Sequence, residues 1–275
     1  MAPALVLITV VVGGAIAQAI SLSLSDWRGI GPVEHIGLDN YGSILSDAAF
    51  WDSLLLTCLY AGASTVGIVA IATLLAAAVS ANVRGSRFYR VVWFLPGIAP
   101  GVAVAIFWVS AFQPRFGAIN EILASLGLPS DTALLAGRHT AIIPVIVVTI
   151  WAGVGFAFLL LLGAMEQIPP SLYESARIDG ASAVRQFWSL TLPLSRPVLI
   201  TTLLLNFIWA FNGFAIVWTM TRGGPGHATA TLPVLIYEWA FKFADYGPAT
   251  AMAVLSGILL VAIGAVGIRV SRSAQ

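Results

Sequence analysis

Long apolar runs alternate with short polar ones along this chain, and the lengths of the apolar runs set the first expectation. A helix needs about 20 largely apolar residues to cross a bilayer. Six segments qualify, at residues 3–24, 54–81, 89–112, 141–164, 199–220 and 247–268. The predicted fold class is therefore all-α, a polytopic membrane protein with six transmembrane helices forming one domain over residues 1–275. Six crossings place both termini on the same side. Ala15-Ile16-Ala17 has the form of a leader-peptidase site, but no basic residue precedes the run and its apolar stretch continues past the site, so it reads as a span.

The polar interruptions carry more information than the runs. Residues 165–197 form an island with its own helical start and stop. Ser171 with Glu174 three residues on fits a reciprocal cap, Pro170 lies just outside it, and Gly180 supplies a residue tolerant of positive φ at the far end. A second apolar-rich turn carries Phe187, Trp188, Leu190 and Leu192, and Pro193 and Pro197 mark the return to hydrocarbon. Pro96 and Pro100 interrupt the third run, remove two amide donors and predict a kink. Broken backbone at membrane depth is tolerated only against protein or water, so the kink is either the flexible wall of a pathway or a packing feature. The fifth run holds Asn206 and Asn212 with Trp209 between them; at helical spacing Asn206, Trp209 and Gly213 share a face that Asn212 flanks. Amides in hydrocarbon should face protein or a wet cavity. Interhelical bonding satisfies that, and so does a sugar-binding surface with an amide beside a flat indole.

Composition removes the soluble alternatives. With 59% hydrophobic and 9% charged residues and a mean hydropathy of +0.95, the chain is far from the typical charged fraction of about 25% in soluble domains. The single cysteine, Cys58, excludes an intrachain disulfide. The net charge of +1 says little, but its distribution orients the chain. Arg84, Arg87, Arg90, Arg177, Arg185, Arg196, Arg269 and Arg272 share one side with only Glu166, Glu174 and Asp179. The other side holds Arg28, Arg115, Arg138, Arg222 and Lys242 against nine acids, Asp131 among them. Cationic loops favour the cytoplasm, which predicts a cytoplasmic island and cytoplasmic termini. Lys242, the sole lysine, follows Phe241, so no phosphate-binding Gly-x-x-x-x-Gly-Lys loop exists and the chain carries no ATPase of its own. No ionisable group lies mid-run, which argues against a proton- or sodium-coupled carrier. No catalytic or metal-binding residue and no nucleic-acid partner is expected.

The spacing of Glu174, Ala176, Gly180 and Leu192-Pro193 resembles the EAA loop of bacterial binding-protein-dependent ABC importer permeases, with Ser175 standing where an alanine is usual. Gly37-Leu38-Asp39-Asn40-Tyr41, Phe94-Leu95-Pro96 with Pro100, Phe116-Gly117 with Asn120, and Thr221-Arg222-Gly223-Gly224-Pro225 follow in the order of sugar-type permeases. The pattern is similar to the first permease of maltose, trehalose or glycerol-phosphate importers. That resemblance implies a coupling helix docking into an ATPase, with Ser171, Glu174, Ser175, Ala176, Arg177, Asp179, Gly180, Leu192 and Pro193 as coupling residues. It implies a second permease subunit in a heterodimer and two ATP-binding cassette subunits that hold ATP and Mg, so that this chain needs no cofactor. It also implies an extracytoplasmic substrate-binding protein, surrounding membrane lipid and a place in the bacterial cell membrane. Pathway candidates are Asn206, Trp209, Asn212, Gly213, Pro96 and Pro100. Amides, hydroxyls and indoles without Lys, Arg or His in the span interiors suit a neutral sugar better than a phosphate ester. A glycerol-phosphate-type importer and a channel subunit not coupled to ATP remain alternatives.

Overall fold

The computed structural model describes residues 6–80, 86–114, 116–127 and 133–273, with side chains except those of Ser86, Arg87, Val270, Arg272 and Ser273. Pro3, Ala81 and the charges of Arg84, Arg87, Arg115, Asp131 and Arg272 therefore lie outside the described residues. Helix α1 covers Val6–Ser23. A two-stranded antiparallel hairpin, β1 (Ser25–Asp26) and β2 (Glu34–His35), follows with Ser25 opposite His35. Then come α2 (Asp39–Ser46), α3 (Ala48–Ser80), α4 (Ser86–Ile98), α5 (Gly101–Ala111), α6 (Ala118–Ser125) and α7 (Ile142–Met165). The island gives α8 (Pro170–Ile178) and α9 (Ala183–Leu194), the latter with a π turn over Phe187–Thr191. Helices α10 (Arg196–Phe211), α11 (Ala215–Thr221), α12 (Leu232–Tyr237) and α13 (Tyr246–Ser273) complete the chain.

Among the described residues, four helices are long and apolar enough to cross a membrane, and six spans result when two bent pairs are each counted as one. Three predicted spans need correction. The second helix begins at Ala48, six residues before the expected start at 54, because Ala48-Ala49-Phe50-Trp51 extends the helical run through Asp52. The third is no gently kinked rod: α4 and α5 meet at 93°, since Pro100 has an extended ψ of 132° and the helix restarts at Gly101. The fifth, expected over 199–220, ends at Phe211, breaks over 212–214 and resumes as α11. Its apolar partner is α9, joined to α10 at 72° across Ser195.

The described chain divides into two compact units. In the first, residues up to Thr57 and 230–263, the Asn40 amide donates to the carbonyls of Ser23 and Ser25, both at 2.9 Å. Tyr41 and Ser23 share a hydroxyl bond of 2.7 Å. A Cβ on Gly247 would strike Ser25 O and come within 2.9 Å of Asn40 Nδ2, so only glycine admits this approach. The Gly-Leu-Asp-Asn-Tyr motif thus clamps the hairpin to the start of α13. Nearby, burial pushes the Asp245 carboxyl above its usual range; Arg28 draws it down and Asp26 pushes it up.

The second unit, residues 58–229 and 264 onward, packs α3 against α7 through Ile68, Ala72, Ala76, Ala157, Phe158 and Leu161. Between membrane helices the apolar surface is already out of water, so small residues and close contact supply the association. A Cβ on Gly153 would meet Ile68 Cδ1 at 2.6 Å. On the same helix, a Cβ on Gly155 would land on the carbonyl oxygen of Trp93 and 2.9 Å from Phe94 Cα, so α4 and α7 touch backbone to backbone.

Candidate functional site

The island folds from its local sequence. Pro169 and Pro170 end the preceding turn, and Pro170 begins α8, where a missing N–H costs nothing. Ser171 and Glu174 therefore do not form the expected capping box: the N-cap is Pro169 and no side chain caps the helix. The Ser171 carbonyl instead accepts from the Ser175 hydroxyl at 3.0 Å. Glu174 is exposed on the open face of the helix. At the other end Gly180 has φ +75°, Ala181 N–H donates to Ala176 O at 2.9 Å and Gly180 N–H to Arg177 O at 3.1 Å. These are the paired bonds of a Schellman stop. Ser182, which sequence reading missed, then starts α9 by accepting from Arg185 N–H at 3.3 Å. Its signal was a serine two residues after a stopping glycine, ahead of a helical run.

Helix α8 buries no residue. It borders a cavity of about 1020 Å³, whose wall includes Tyr173, Arg177, Gln186, Trp188, Arg90 and Glu166. Arg90 is ion-paired with Glu166, joining α4 to the C-terminal end of α7 beside the island. Ser171, Ser175, Arg177, Asp179 and Pro193 are exposed, while Ala176 and Leu192 are half-buried. Residues 171–180 therefore gather on one short, open helix and its cap, with Leu192 and Pro193 further along on α9.

The pathway candidates divide. Asn206 is buried, 4% exposed, and its amide donates to Thr202 O in its own helix at 2.8 Å. Trp209 is 53% exposed and packs edge-on to Phe156 at 5.0 Å between centroids. Asn206 and Trp209, three residues apart on α10, therefore differ in burial, while Gly213 lies beyond the end of the helix. Asn212 is exposed, donates to Ile208 O at 2.9 Å and ends α10, while a Cβ on Gly213 would sit 2.9 Å from Ala210 O. Pro100 stands at the other break. The Cβ position of Gly101, just after it, lies 3.7 Å from Ala215 Cβ and Ile216 Cγ1, so the starts of α5 and α11 adjoin. Pro96 is half-buried within α4, upstream of this contact. Phe156 was missed as a partner of Trp209; one aromatic among several in an apolar run gives no signal. Among the described residues, no three His, Cys, Asp or Glu side chains are placed to hold a metal ion.

Residues 43–272 match the family model described as "Binding-protein-dependent transport system inner membrane component". The sn-glycerol-3-phosphate transport system permease protein UgpA of Yersinia enterocolitica is 36% identical over 242 residues, covering 86% of this chain and 80% of that protein. The multiple sugar-binding transport system permease protein MsmF of Streptococcus mutans is 28% identical over 256 residues, 93% of this chain and 88% of its own. A chain of the bacterial alginate ABC transporter, solved in complex with an alginate pentasaccharide-bound periplasmic protein, superposes with a TM-score of 0.84 at 22% identity, over 98% of this chain and 92% of that one.

Proposed function

Because the chain belongs to the family of binding-protein-dependent transport system inner membrane components, we propose that it lines half of the path by which a sugar or oligosaccharide enters the cell, driven by ATP hydrolysed on a separate subunit. It is a multi-pass permease, a membrane subunit and not a catalytic one. The remaining partners are a second permease, two ATP-binding cassette subunits carrying ATP and Mg, and an extracytoplasmic substrate-binding protein. The island and both termini lie in the cytoplasm. One observation carries the coupling role: α8 is a helix with no buried residue, stopped by Gly180 and followed at once by a pair bent by 72°. A partner that grips Glu174, Ser175, Arg177 and Asp179 on α8 would move it as a unit. The motion would pass through α9 to α10 and open the adjoining breaks at Pro100 and Asn212-Gly213. Trp209 and Asn212, both exposed, are the better candidates for touching a sugar ring; Asn206 serves packing.

The 36% identical relative gives glycerol phosphate a specific claim as the second reading. Against it stands the absence of Lys, Arg and His from the interiors of the predicted spans, where Arg90 sits only at an end. Purifying the transporter through this chain tests the main reading, which expects two nucleotide-binding subunits to be retained and lost on disruption of α8. A thermal-shift screen of the cognate binding protein against sugars and glycerol phosphate decides between the substrates.

A further inference from the structure

We propose that the Tyr173 hydroxyl is a positioning group that transmits movement of α8 into the bent pair through its hydrogen bond to Thr191, an inference that rests on the coupling role assigned to the island. The two hydroxyl oxygens are 3.0 Å apart, and Thr191 is buried at the end of the π turn. Among the described residues, the other side-chain bonds of α8 stay within it: Ser175 to Ser171, and Arg177 Nε to Tyr173 O at 3.3 Å. With no residue buried and a large cavity alongside, packing gives α8 little purchase on the bundle. Tyr173 and Thr191 both line that cavity. Thr191 in turn donates to Gln186 O over a long 3.5 Å, and the Gln186 amide donates to Ala181 O at 2.8 Å. Tyr173, Thr191, Gln186 and Ala181 therefore close a loop that includes both the stop of α8 and the π turn of α9. The π turn lies four residues before Ser195, where the 72° bend begins.

The test uses the complete transporter with its binding protein in proteoliposomes, measuring solute uptake and ATP hydrolysis in the same vesicles. Tyr173→Phe and Thr191→Val each remove the bond and keep most of the shape. Each should retain the ATPase subunits yet move roughly three- to tenfold less solute per ATP, the range that a single hydrogen bond commands. Thr191→Ser, which keeps the hydroxyl, should restore the wild-type ratio, and the double variant should be no worse than either single one. A wild-type ratio in Tyr173→Phe, or losses that multiply in the double variant, would overturn the strut while leaving the coupling role intact. Absence of ATPase subunits from the wild-type particle would overturn the coupling role and the strut with it.

Discussion

Replacing Gly180 probes the stop of the island helix without touching anything else. A Cβ there meets nothing within 4 Å, so an alanine there acts through φ +75° and not through a clash. An L-residue in this region costs about 1–2 kcal/mol, with Asn penalised less and β-branched residues more. If that cost is set against the two stop bonds, at 2.9 and 3.1 Å, the correctly stopped island is depleted about 5- to 30-fold for alanine. Uptake by the reconstituted transporter should therefore fall in the order Gly, Asn, Ala, Val, with ATP hydrolysis uncoupled and membrane insertion unchanged. A valine variant that transports like wild type, or an asparagine variant worse than valine, would refute the reasoning.

Other substitutions examine separate links. Glu174→Ala should leave α8 as stable as before, because Glu174 caps nothing, yet abolish coupled uptake; a loss of helix content instead would restore the capping role. Gly155→Ala forces a Cβ onto the backbone of Trp93 and Phe94, and should lower Tm in detergent by an amount reflecting about 1–3 kcal/mol. Gly163→Ala in the same helix meets nothing within 4 Å and should hold or raise Tm. Asp245 binds its proton more tightly in the fold than in the unfolded chain, so its contribution to stability falls as pH rises above the ordinary carboxylate range. Asp245→Asn should flatten that part of the stability profile, and a profile unchanged by the substitution would show that the carboxyl is not shifted.

The spans were legible because each is a long apolar run, and the island because charge and helix punctuation concentrate there. Gly180 could be assigned from sequence because a stop needs positive φ and glycine permits it. The start was misassigned because Ser-x-x-Glu also arises inside a helix, and Pro170 could occupy the first turn as readily as the position before it. The break at 99–100 was legible as an irregularity but not as a 93° bend, since proline announces a break without its angle, and the break at 212–214 was missed because Asn212 and Gly213 sit inside an unbroken apolar run. Asn206 and Trp209 lie close on a helical wheel, yet their different burial depends on which neighbours pack against α10. The clamp of Asn40 and Gly247 joins residues 207 positions apart, beyond the reach of local pattern.

Cross-linking tests the central claim most directly. With Cys58→Ser removing the sole native thiol, Ser171→Cys on α8 should form an ATP-sensitive cross-link to the nucleotide-binding subunit and stay inaccessible to a membrane-impermeant thiol reagent added outside. Labelling from outside, or no cross-link in an assembled and transport-active particle, would contradict a cytoplasmic coupling island.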